Sequence, residues 1–280
     1  TTCKARQTVE EKMAGLTGLL SSFFIYQSIN INMKILLSPA KKLNFAKSYE
    51  ELLLTNSVFS PKTLRLQSLL KKKSAKAIGE LMKLSGALSE LNFERFQSMG
   101  NNGNELSKAI YAFNGEVYSG LDAINFSKAE LEIAEGKLRI LSGLYGVLKP
   151  SSIIEPYRLE MGTRLKVGRA NSLYEFWGDD IINYLKEEEQ ELIVNLASIE
   201  YNKAAKLKSF PGRVITPNFK EFKNGDYKTI MVFAKKARGA MAKWIIKNDV
   251  EDGESLKNFT EDNYVFNEAL SSKDDWIFTR

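Results

Sequence analysis

Short apolar runs that stop at polar residues constrain this chain more than any other feature. Met33–Leu37 (MKILL), Arg139–Leu141 (RIL) and Leu192–Leu196 (LIVNL) read as short strands, the last of them buried. Arg213–Phe222 and Asp226–Ala234 read as two more, joined through Asn224-Gly225, the strongest short hairpin signal a sequence offers. Tyr264–Phe266 and Trp276–Phe278 read as a closing hairpin. Four strand exits carry polar groups: Ser38 with Lys41 and Lys42, Ser142 with Tyr145, Ser198 with Glu200, and Lys235 with Lys236 and Arg238. Ligands of α/β proteins gather where strands end. If these exits share one sheet edge, they line a cleft that is positive with a few carboxylates.

Leu141–Gly162 is the densest stretch in special residues. Gly143 and Gly146 permit a turn or a close approach, and Pro150 and Pro156 stiffen the chain. Tyr145, Tyr157, Arg158 and Glu160 set polar groups among apolar ones. It reads as a strand running into a long ordered loop, with Arg158 and Glu160 added to the cleft. The plainer reading is a loop packed by its own aromatics.

Between the strands the pattern is helical. Ser60–Phe96 opens on Ser60-Pro61, with proline where a first helical turn tolerates it. Lys72, Lys73 and Lys76 lie in its most basic part. Ser74–Met82 and Ala87–Phe96 read as two helices around a tight Lys83–Gly86 connection, a helix-hairpin-helix-like unit. The match is partial, because Gly86 is present and a second hairpin glycine is not; a plain helical hairpin with a lysine-rich face is the alternative. Leu106–Phe113, Ser127–Gly136 and Leu173–Glu189 read as further helices. Ser127 stands three residues before Glu130, the capping-box spacing. Ser198 also reads as a cap for the helix after it. The helix expected to begin at Lys235 crowds cations at an N-terminus whose dipole already favours anions, and a bound phosphate would relieve that conflict. Lys243 lies on the same helix.

Residue usage removes several kinds of chemistry. There is no histidine, and Cys3 is the single cysteine. Ser-His-Asp and Cys-His catalysis, histidine acid–base work and soft-ligand metal or iron–sulfur sites are therefore excluded from the expected domain. A carboxylate-bound Mg²⁺ stays open, but no metal and no cofactor is expected. Against 34 acidic residues stand 40 basic ones, a net +6 that favours an anionic partner, with a merely solvated lysine surface as the bland alternative.

Gly15–Ile25 is apolar but shorter than the ~20 residues that span a bilayer. Residues 1–32 read as an N-terminal extension, with a targeting segment as the less favoured option. Met33 reads as the start of one domain, 33–280. The expected class is α+β (mixed α/β), a single domain with a central mixed sheet flanked by helices.

Six blocks, in order, carry a resemblance. They are SPAKKLNF (Ser38–Phe45), AFNGEVYSGLDA (Ala112–Ala123), LSGLYGVLKP with PYRLEMG (Leu141–Gly162), LYEFWGDDI (Leu173–Ile181), VNLASIEY (Val194–Tyr201) and FAKKARGAMAKWII (Phe233–Ile246). Together they resemble the YaaA family of bacterial peroxide stress resistance proteins, from Met33 nearly to Arg280. The resemblance implies a cytoplasmic stress protein that binds duplex or distorted DNA, with a helix-hairpin-helix unit.

Two function classes follow. The first is a DNA-binding protein of weak sequence specificity, with Lys41, Lys42, Lys72, Lys73, Lys76, Arg158, Lys235, Lys236, Arg238 and Lys243 as phosphate contacts. The second is an enzyme acting on a nucleotide or nucleic acid, with Lys235 or Lys236 as nucleophile or base and Glu160 or Glu200 as proton carrier. A structural or partner-binding protein is the blandest alternative. DNA is the expected partner, no membrane association is expected, and a monomer is assumed.

Overall fold

The sheet grows outward from one strand that is buried along its whole length. In the computed structural model, which describes residues 33–45, 55–189 and 191–280, that strand is Lys34–Leu37 (β1). Among the described residues seven more strands join it: Leu138–Ser142 (β2), Gly146–Leu148 (β3), Leu192–Asn195 (β4), Arg213–Lys223 (β5), Asp226–Lys228 (β6), Val265–Phe266 (β7) and Asp275–Thr279 (β8). The spatial order is β7-β8-β5-β4-β1-β2-β3, with β6 paired to β5. Strands β2, β1, β4, β5 and β8 run parallel, and β3, β6 and β7 are antiparallel additions. The three apolar runs thus form the centre, where both faces are covered and continuous burial is required.

Topology places the site. From β1 the chain crosses to β2 on one side and later to β4 on the other, so the order reverses between β1 and β4. A crevice opens at such a switch point, beyond the carboxyl ends of the strands. At the opposite ends lies a buried charge cluster, where Arg139 donates to Glu188 at 2.7 Å. Burial, then the nearby Arg139 charge, lowers the pKa of Lys34 there.

Helices Ser60–Lys71 (α1), Ala75–Met82 (α2) and Gly86–Ser98 (α3) fall where the sequence pattern puts them. Helices α2 and α3 pack as a hairpin whose turn carries Lys83 in the left-handed region, at φ 54°. Glu116–Leu121 (α4) follows. Lys128–Lys137 (α5) has the expected capping box, with Ser127 and Glu130 bonded both ways. The stretch 106–113 departs from expectation. It holds one helical turn, Ala109–Ala112, between two short ladders that tie 107–108 to 153–154 and 113–114 to 42–43. Local pairing with distant strands overrides the helical pattern there.

Leu173–Glu189 is also not continuous. It divides into Leu173–Trp177 (α6) and Asp180–Glu188 (α7), broken where Gly178 takes φ 53°. Trp177 is fully buried and donates to Gly143 O at 3.0 Å, so it belongs to the core. Ile199–Ala205 (α8) leads on to β5, and the Asn224-Gly225 turn has both residues at positive φ, as a type I′ hairpin requires. The last α-helix among the described residues, Met231–Lys247 (α9), starts four residues before Lys235. The expected long second strand is only Asp226–Lys228. Lys235 and Lys236 therefore stand in the second turn of α9, and the expected clash of cations with its N-terminal dipole does not arise.

Residues Asn32–Arg280 form one compact unit. The extension expected at 1–32 lies outside the described residues, and among those described no helix is long and apolar enough to cross a membrane.

Candidate functional site

A cleft of about 510 Å³ opens at the switch point. Its floor is built from the two strand exits. The Ser38 hydroxyl accepts from the Ser198 N–H at 2.8 Å and donates to the Ser198 hydroxyl at 3.2 Å. Ser198 precedes α8 but makes no side-chain cap to it; its hydroxyl is engaged with Ser38 instead. The Tyr118 phenol donates to Ser38 O at 3.1 Å, which fixes the turn after β1 from α4. Burial pushes the Tyr118 phenol well above its ordinary pKa, so it stays a neutral donor.

The loop after β2 forms one wall. Ser142 is fully buried, 2.7 Å from the Tyr157 hydroxyl, and accepts the Leu144 and Tyr145 N–H groups. Tyr145 and Tyr157 meet edge to face at 5.2 Å. Ser142 and Tyr145 are thus behind the wall rather than in the cleft, and they aim Tyr157, Arg158 and Glu160 into it. Gly143 permits this, since a Cβ there would lie 2.3 Å from Leu159 O.

Five cations face the cleft: Lys41, Lys42, Arg158, Lys235 and Arg238. Three carboxylates accompany them: Glu116, Glu160 and Glu200. Glu160 bonds Lys41 at 2.9 Å and Arg158 at 3.0 Å. Burial alone would raise its pKa, but the hydrogen bonds and charges of Lys41 and Arg158 outweigh it and hold the carboxyl below its ordinary value. Glu200 accepts the Gly162 N–H at 2.7 Å. Lys42, Lys235 and Arg238 make no ion pair with the described residues. Arg238 is half-buried, and desolvation lowers its pKa. The Arg158 Nε is buried without a partner among the described residues. A second cavity of about 630 Å³ adjoins, sharing Glu160 and Glu200 and adding Lys83 and Arg164. Among the described residues no group of three or more His, Cys, Asp or Glu is placed to hold a metal.

The expected site residues divide. Lys41, Lys42, Arg158, Glu160, Glu200, Lys235 and Arg238 come together. Lys236 does not; it pairs with Asp262 at 3.3 Å, because neighbouring helical residues point about 100° apart. Lys235 and Arg238, three apart, share a face. Lys72, Lys73 and Lys76 sit at the α1–α2 corner, and Lys243 lies farther along α9; none lines the cleft. Asn114, Glu116 and Met231 line it without having been singled out. Asn114 and Glu116 fall in the Ala112–Ala123 block, which was the available signal.

The Glu160 pairing has a pH consequence. A carboxyl whose folded pKa lies below its unfolded value, ~4.3, contributes stability above that value and loses it as pH falls through the folded one. Comparing Glu160→Gln with the parent by denaturant unfolding, the parent's advantage is expected to hold at neutral pH and shrink below about pH 4. An advantage unchanged down to about pH 2 would mean the carboxylate is not held as described.

Comparison with known proteins gives concordant matches. The family model of peroxide stress protein YaaA matches residues 33–270. A UPF0246 protein of Colwellia psychrerythraea is 45% identical over 258 residues, 89% of this chain and 99% of that protein. One from Clostridium beijerinckii is 45% identical over 254 residues, 89% of this chain and 98% of that protein. One from Maricaulis maris is 47% identical over 252 residues, 89% of this chain and 96% of that protein.

Proposed function

This chain belongs to the peroxide stress protein YaaA family, and from that premise we propose that its cleft binds DNA during the response to peroxide. One observation carries the reading. Arg238 is half-buried in the cleft with no anion beside it among the described residues. A charge withdrawn from water without a partner is costly, and a phosphate oxygen removes that cost. The Arg158 Nε, and Lys42 and Lys235, which have no partner among the described residues, extend the same demand across the cleft.

Size sets the kind of DNA. At about 510 Å³ the cleft is of small-molecule dimensions, too small for a duplex and adequate for one nucleotide. DNA that already exposes a nucleotide, at a bulge or a damaged position, costs less to seat than intact duplex. The cleft's cations are suited to phosphates rather than to base edges, so sequence preference is weak. Protection from oxidative damage then follows from occupancy of distorted sites, in the cytoplasm where the DNA lies.

The test is fluorescence anisotropy of labelled duplex, bulged, junction and single-stranded DNA over a salt series. Bulged DNA is expected to bind more tightly than plain duplex, with log affinity falling linearly in log salt. No binding at low salt would remove the proposal. A second reading, an enzyme acting on a nucleotide, is favoured by Glu160, a carboxylate fixed inside a nucleotide-sized cleft; product formation from a nucleotide panel distinguishes it.

A further inference from the structure

The first turn of α9 exposes Met231, Val232 and Phe233, at 55%, 46% and 41% of their surface. Helices normally bury such residues. Here three in succession face solvent on the first turn, and no side chain caps the helix above them. Met231 lines the cleft itself. It lies four residues before Lys235, so an apolar tip and a cation with no ion pair among the described residues share one helix face. Phe233 is braced by the Arg280 guanidinium, 5.0 Å from its ring. The nearby β5–β6 hairpin adds the exposed Lys223 and Lys228.

An apolar tip with Lys223, Lys228 and Lys235 near it in the chain matches one feature of DNA: a base stack edged by phosphates. Apolar side chains inserted at a base step unstack it and bend the duplex. An anionic membrane offers similar chemistry, but Met231 shares its face with Lys235 inside a nucleotide-sized cleft, and a flat lipid surface gives that placement no use. We propose that Met231, supported by Val232 and Phe233, is a wedge that enters the base stack and helps deliver the displaced nucleotide to the cleft. This rests on the DNA-binding reading above.

The experiment uses the full chain and a duplex with 2-aminopurine beside a single-nucleotide bulge, with anisotropy followed in parallel. Binding by the parent is expected to raise 2-aminopurine fluorescence several-fold through unstacking. Met231→Ser/Phe233→Ser is expected to abolish the rise and weaken affinity several-fold, with the salt slope retained. All three residues are exposed, and a circular dichroism melt matching the parent's verifies the fold. Leu64→Ser, at an exposed apolar residue elsewhere on the surface, is expected to behave as the parent. Binding without any fluorescence rise overturns the wedge and leaves the DNA reading standing. A rise that survives in the double variant also overturns it, as does a variant defect confined to binding of phosphatidylserine vesicles. Absence of binding by the parent removes both readings.

Discussion

Gly239→Ala is expected to destabilise the fold by about 3 kcal/mol or more, the upper range for forcing atoms into a packed interior. Helices α4 and α9 cross at two glycines, each facing the other's backbone. A Cβ on Gly239 would lie 1.7 Å from Val117 O and 2.7 Å from Leu121 N. One on Gly120 would lie 2.1 Å from Lys236 O. These obstacles are backbone atoms, which cannot rotate aside as a side-chain tip can. The helices must separate, and Ala234, Ala237 and Ala240, all buried, lose contact. A shift of roughly 6–12 °C in Tm is expected for that cost in a domain of this size. Gly86→Ala is the control, since a Cβ there meets nothing within 4 Å. It should be neutral or stabilising by up to ~1 kcal/mol. Thermal melts of the two variants check both; a Gly239→Ala Tm near the parent's would mean the crossing is not close. The crossing also matters for the cleft. It sets Asn114, Glu116 and Tyr118 from one chain segment against Lys235 and Arg238 from another, so surviving Gly239→Ala protein should bind DNA more weakly.

How much of this was legible follows from where the information sits. Met33–Leu37 and Leu192–Leu196 are visible as strands because a strand covered on both faces is apolar throughout. The Asn224-Gly225 turn and the Ser127–Glu130 box are visible because each needs particular residues at fixed short spacing. The start of α9 is hidden, because Met231-Val232-Phe233 has the look of a strand and is exposed on a helix. The break at Gly178 is hidden too, since apolar spacing continues across it. For the site, four polar strand exits suggest a cleft, and two of them, Ser38 and Ser198, meet directly. That meeting depends on β1 and β4 being neighbours, a pairing across more than a hundred and fifty residues that no local pattern encodes. The role of Ser198 differs from the expected cap for the same reason: its partner is distant.

Lys235→Ala/Arg238→Met is expected to weaken DNA binding by about 100-fold at low salt, taking ~1.4 kcal/mol for each lost phosphate contact. The slope of log affinity against log salt should fall by about 1.8, or ~0.9 per contact. Methionine at 238 keeps an apolar stem in the half-buried position, so packing is largely retained. Fold stability should therefore be unchanged or slightly higher, because Arg238 has no carboxylate partner among the described residues and its charge is partly desolvated. Opposite signs in binding and stability separate a direct contact from general damage to the fold. Lys236→Ala serves as the matched control. It removes one charge, as each half of the double variant does, from the adjacent position, but one paired with Asp262 and turned from the cleft. Its salt slope should stay with the parent's. A Lys73→Ala/Lys76→Ala variant applies the same logic to the α1–α2 corner. Equal slope losses at the corner and in the cleft would describe a duplex lying across both surfaces. A loss at the corner alone would move the phosphate contacts to the helical hairpin and leave Arg238 unexplained.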